Sequence, residues 1–77
     1  MTVLYTQAMK LWEQQKPFDS IQLLKKALIL VNNNILKENL TGRIGACYNH
    51  IDLYEDAEIY LRKAIQLSQV NKPKIPD

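Results

Sequence analysis

One cysteine, two glycines, three prolines and no long apolar run are what this 77-residue sequence offers in the way of special features. A single cysteine excludes an intrachain disulfide and fits a reducing compartment, so a cytoplasmic setting is expected. The longest apolar run, ALILV at 27–31, is far too short to span a bilayer, and membrane insertion is not expected. No N-terminal stretch joins positive charge, an apolar segment and small residues, so no signal peptide is read. Asn39-Leu40-Thr41 fits the glycosylation acceptor pattern, but without a secretory signal it is read as chance. Charge of one sign is also lacking. Ten basic and eight acidic residues leave a net charge of +2, dispersed except at the tail, and nothing builds the one-sided basic footprint of a nucleic-acid binder. An apolar content of 47% argues against disorder. So short a chain supports one domain at most and calls for added stabilisation, which self-association as a homodimer would supply.

What is present is helical spacing. Val3, Tyr5, Ala8, Met9, Leu11 and Trp12 recur mostly three or four apart and predict a helix from about Thr2, its N-cap, to Gln15. Lys16-Pro17 breaks it. A second helix is expected from near Phe18, opened by a capping-box-like Asp19-Ser-Ile-Gln22 and carrying apolar stripes of Ile21, Leu24, Leu28 and Val31 and of Leu23, Ala27 and Leu30. Asn32-Asn33-Asn34 ends it and caps the next. The third helix, about 35–50, carries Leu36, Leu40, Ile44, Cys47, Tyr48 and Ile51. Asp52-Leu-Tyr-Glu55 reads as another capping box, opening a fourth helix with Ala57, Tyr60, Leu61, Ala64, Ile65, Leu67 and Val70. No run alternates with period two, so the class is all-α, in two antiparallel helical hairpins joined by short loops.

The hairpins repeat. Leu24-Lys-Lys-Ala27-Leu28 and Leu61-Arg-Lys-Ala64-Ile65 lie 37 residues apart, and the same shift lays Ala8 on Gly45, Leu11 on Tyr48 and Ser20 on Ala57. In the second copy, Ile44-Gly45, Tyr48, Tyr54-x-x-Ala57 and Leu61-x-x-Ala64 give a pattern that resembles the tetratricopeptide repeat (TPR) family. The first copy keeps Ala8, Ser20, Leu24, Ala27 and Leu28, has Pro17 where the second has Tyr54, and the spacing exceeds the family's usual length of about 34. The resemblance covers nearly all of residues 4–70. It implies a short right-handed solenoid, with one repeat over about 2–31, another over about 35–70 and a polar tail at 71–77. A glycine inside a helix costs about 1 kcal/mol against alanine, so Gly45, with Ala57 and Ala64, is read as a place where two backbones approach closely. Gly42 lies outside the family pattern and is read as a second close contact, with the first helix or another chain.

Chemistry has little to work with. Cys47 and His50 stand one turn apart, but a metal needs about four ligands and no second pair exists; as nucleophile and base they lack an orienting group. Asp52, Glu55, Asp56 and Glu58 read as a charged helix start rather than a carboxylate site. No Gly-rich phosphate loop is present, so neither enzymatic activity nor a cofactor is expected. The TPR resemblance implies instead a concave face, formed by the first helix of each repeat, that takes a peptide or helix of a partner protein. The matching positions are Tyr5, Met9, Trp12 and Glu13, then Asn39, Gly42, Arg43, Ala46, Asn49 and His50. Tyr5 and Met9 stand where chaperone-binding members carry Lys and Asn, and Ala46 and Arg43 do no better, so a carboxylate clamp is not expected. A two-repeat array without a capping helix would leave Ile59, Tyr60, Leu67 and Val70 on the last helix uncovered, a surface for self-association. The expected function is that of a non-enzymatic adaptor or regulatory subunit. The alternative is a small helical DNA-binding regulator touching phosphates through Lys25, Lys26, Arg62 and Lys63. Lys72-Pro-Lys-Ile-Pro76 has the spacing of an SH3 ligand, frequent by chance.

Overall fold

The computed structural model describes residues 2–71, and they are all-helical, with no strand among them. Four helices follow in order: α1 (Thr2–Glu13), α2 (Pro17–Leu30), α3 (Asn34–His50) and α4 (Tyr54–Asn71). The expected Thr2 cap rests on a side chain outside the described set, as does the proline tail from residue 72 onward.

The two hairpin turns are the same turn, and they correct the expected helix starts. Gln15 and Asp52, 37 residues apart, both take left-handed backbone, with φ of 62° and 65°. Around Gln15, the Lys16 N–H donates to the Leu11 carbonyl at 2.8 Å and the Gln15 N–H to that of Trp12 at 3.0 Å. Around Asp52, Leu53 donates to Tyr48 at 2.9 Å and Asp52 to Asn49 at 3.2 Å. This is the Schellman arrangement, which uses the last free carbonyls of a helix while reversing the chain. It stops α1 two residues before the expected Gln15. It also consumes Asp52 in the turn, so Asp52 does not cap α4; its carboxylate accepts instead from the Tyr54 hydroxyl at 2.7 Å. Asp19 likewise caps nothing. Pro17, with its fixed φ, starts α2 one residue earlier than expected, Lys16 precedes it without a side-chain cap, and Asp19 falls in the first turn, where its charge suits the helix dipole. The asparagine cap does form, because Asn33 Oδ1 accepts from the N–H groups of Ile35 (2.8 Å) and Leu36 (3.2 Å).

Each helix packs on the next: α1 on α2, α2 on α3, α3 on α4. Within each hairpin the contacts pair residues equidistant from the turn, as antiparallel helices require. Ser20 Oγ donates to the Ala8 carbonyl at 2.6 Å in the first; Tyr48 meets Tyr60, and Gly45 meets Leu61, in the second. Ile21, Leu24, Ala27, Leu40, Ile44, Cys47 and Ala57 are buried at the joint between hairpins. Asn71, expected in the tail, completes α4 and donates to the Asn34 carbonyl at 2.9 Å and Glu38 Oε1 at 3.2 Å.

The two expected close approaches differ. A Cβ on Gly45 would come within 2.9 Å of Leu61 Cγ and Cδ2 and 3.2 Å of its backbone nitrogen, so glycine is what lets α3 and α4 touch there. At Gly42 the nearest neighbour would be Ala64 Cβ at 3.8 Å, an ordinary contact. The expected tight contact of Gly42 with the first helix is therefore corrected: its nearest neighbour within the chain is α4, at a distance that would accept a methyl group.

Candidate interaction surfaces

Three surfaces present apolar groups. The first lies between α1 and α3. Arg43 sits over the Tyr5 ring at 5.5 Å and the Trp12 and His50 rings stand 5.3 Å apart, so two contacts with the same sequence separation show the helices side by side and running the same way. Only these long side chains bridge them, leaving a cleft of 200 Å³ lined by Met9, Trp12, Arg43, Ala46, Cys47 and His50. The structure thus brings Tyr5, Met9, Trp12, Arg43 and His50 together. Glu13, Asn39 and Asn49 are exposed and do not line this cleft; Asn39 faces α4 instead. Cys47 is buried at the cleft, where desolvation pushes its thiol above the ordinary range while the Arg43 guanidinium pulls the other way. A thiol held protonated is a poor nucleophile. Among the described residues no three His, Cys, Asp or Glu side chains gather as metal ligands would.

The second surface is the free edge of the α3/α4 hairpin, lined by Glu38, Asn39, Gly42, Leu61, Ala64, Ile65 and Ser68. The 37-residue shift explains it. Leu24, on α2, is fully buried because α3 covers it; its counterpart Leu61 is 40% exposed, and Ile65, the counterpart of Leu28, is 58% exposed. The opposite end of the array differs. Leu40, Ile44 and Cys47 on α3 are buried, while their α1 counterparts Val3, Gln7 and Lys10 are exposed and mostly polar. One end is closed by polar side chains and the other is open.

The third surface takes in part of the expected self-association strip. Ile59, Tyr60, Leu67 and Val70 do not form the open edge. Tyr60 is half-buried on the core, its ring 5.7 Å from that of Tyr48. Leu67 and Val70 line a groove with Leu28 and Ile29 of α2, and Ile59 is exposed outside it. Sequence periodicity put all apolar residues of α4 on one broad face. The signal that singles out Leu61, Ala64 and Ile65 as the open edge was in the repeat register.

Of the cations suggested for phosphate contact, two lie beside tyrosine rings and one is paired with a carboxylate. Lys25 Nζ lies 5.2 Å from the Tyr48 ring centre and 5.6 Å from that of Tyr60, Lys63 Nζ 5.3 Å from that of Tyr60, and Arg62 is paired with Glu58. Tyr48 holds the Lys25 ammonium above its ordinary pKa, against a smaller opposing effect of burial. No helix among the described residues is long and apolar enough to cross a membrane. No family model, curated protein or solved structure matches the chain.

Proposed function

We propose that the chain is a non-enzymatic protein–protein interaction module, an adaptor or regulatory subunit built from two TPR-like repeats stacked as a short right-handed solenoid. It takes a peptide or helix of a partner in the α1/α3 cleft. The observation that supports this reading is the convergence of Met9, Trp12, Arg43 and His50 from two parallel helices on one concavity, with Tyr5 stacked beside them. Trp, Tyr, Met and Arg are the residues enriched where interfaces are buried, and His50 and Arg43 supply donors for a partner's carbonyls. The test is capture of partners by the wild-type chain and by the Met9→Ala/Trp12→Ala variant, with far-UV circular dichroism to show that the variant remains helical. Loss of capture with the helical signal intact is expected; undiminished capture would sink the assignment of this cleft.

Self-association belongs to the same reading, now placed on the α3/α4 edge. Head-to-tail stacking would bury Gln7 and Lys10 without partners, which is costly. Two-fold pairing of the apolar edges closes the assembly with only two copies. A dimer that dissociates on Leu61→Glu/Ile65→Glu, followed by light scattering over a dilution series, is the expected outcome. A wild-type monomer at all concentrations would overturn it.

A further inference from the structure

The groove between α2 and α4 is distinct from both surfaces used above. Its walls are apolar, Leu28 and Ile29 on one side and Leu67 and Val70 on the other, with the buried Thr41 of α3 between them. Ile29 is 81% and Val70 72% exposed. It is an open groove of about 660 Å³, against about 200 Å³ for the α1/α3 cleft. Lys37 and Lys63 stand on the rim, and no carboxylate among the described residues lines it. Lys25 converges with Lys63 on Tyr60, extending the positive rim along the α2/α4 crevice.

From this pairing of apolar walls with a rim of one charge sign, we propose that the α2/α4 groove docks an acidic amphipathic helix of a partner protein, its leucine-like face between Leu28/Ile29 and Leu67/Val70 and its carboxylates beside Lys37 and Lys63. The charge decides among occupants. A second copy of the chain would bring the same lysines against each other across a two-fold axis, which like charges oppose. A nucleic acid would set phosphates against four apolar side chains. An anionic bilayer surface would draw on the same lysines, and it enters the experiment as a competing outcome. An extended peptide has no strand edge to join, and helical walls suit a helix with anchors at i, i+3/i+4 and i+7.

The experiment uses two synthetic helical peptides of about four turns, ~14 residues, with the same leucine face, flanked by Glu in one and by Lys in the other. Binding to the wild-type chain is read by fluorescence anisotropy and located by amide chemical-shift perturbation. The acidic peptide is expected to bind about tenfold tighter than the basic one, the scale of a few rim charge contacts. Its shifts should centre on Leu28, Ile29, Thr41, Leu67 and Val70. Lys37→Gln/Lys63→Gln should erase the preference and Lys37→Glu/Lys63→Glu should reverse it, with circular dichroism showing both variants folded. Four outcomes overturn the proposal: equal affinity for the two peptides, binding of neither, shifts centred on Met9, Trp12 and His50, or uptake of phosphatidylserine vesicles by a chain that ignores both peptides. Failure of the α1/α3 reading would leave these shifts in place, so the two are separable.

Discussion

Alanine at the two glycines of α3 should move stability in opposite directions, although they lie one helical turn apart. Each Gly→Ala change removes the same helix penalty, about 1 kcal/mol. At Gly42 nothing opposes that gain, because the new methyl would sit 3.8 Å from Ala64 Cβ. Gly42→Ala should therefore stabilise by about 0.5–1 kcal/mol, which in a domain of this size raises Tm by about 2–8 °C. At Gly45 the methyl would lie 2.9 Å from Leu61 Cγ and Cδ2. A change of rotamer could relieve those two contacts, but the Leu61 backbone nitrogen at 3.2 Å can give way only if α3 and α4 part. Overpacking of this kind costs about 1–3 kcal/mol, so the net effect of Gly45→Ala is a loss of about 1 kcal/mol. Urea unfolding followed by circular dichroism, with the slope unchanged between variants, reads both. Equal stabilisation by the two substitutions would show that α3 and α4 do not touch at Gly45. Destabilisation by Gly42→Ala that grows with protein concentration would show instead that a second copy covers that edge more closely than a methyl allows.

The turns and the first hairpin give further expectations. Gln15 pays about 1–2 kcal/mol for its left-handed backbone, and glycine returns part of that as chain entropy, so Gln15→Gly should gain about 0.5–1 kcal/mol in thermal unfolding. A lower Tm would refute the Schellman turn; Asp52→Gly should gain less, since aspartate tolerates this conformation and the Tyr54 hydrogen bond is lost. Ser20→Ala should cost about 1 kcal/mol in urea unfolding, the net worth of one buried hydrogen bond, with no packing defect because Ala57 fills the same position in the second hairpin. A cost above about 3 kcal/mol would mean that Ser20 packs in a way its alanine counterpart does not.

Helix number, order and approximate limits were legible because apolar spacing and the Lys-Pro and Asn-Asn-Asn breaks are local signals. The helix starts were not, and the reason is specific. Asp19-x-x-Gln22 and Asp52-x-x-Glu55 both have the letters of a capping box, yet each hairpin begins its second helix from a turn set by the left-handed residue before it. That residue is glutamine in one copy and aspartate in the other, so glycine, the usual mark of such a turn, is missing. The repeat register carried more than the periodicity did. Tyr5 with Arg43 and Trp12 with His50 meet almost at the repeat spacing, although these residues were expected from the family resemblance and not from the register. Asn39 was lost from that cleft because its rotation about α3 turns it toward α4, a matter of how far the hairpins are wound on each other.

The same register, applied one step further, separates the two faces of α4. Leu24, Ala27 and Leu28 are covered because another hairpin follows them; Leu61, Ala64 and Ile65 stand at the same positions with none after them. Leu67 and Val70 answer to a different neighbour, since they look back across the hairpin joint to Leu28 and Ile29. Periodicity along a single helix counts both sets as one apolar face, because it knows which residues turn inward but not which neighbour each will meet. Only the distribution of charge then tells the faces apart. Among the described residues the edge has Glu38 and neutral polar groups around it, while the groove has Lys37 and Lys63 and no acid. Self-pairing at the edge sets one carboxylate, already accepting from Asn71, against its copy, whereas self-pairing at the groove sets two lysines against two, so the edge suits a dimer better and a wild-type dimer and an acidic helix can occupy one chain without competing. Light scattering in the presence of saturating acidic peptide should therefore return the mass of two chains plus two peptides; two peptide-bound monomers in its place would show that both occupants want the same face.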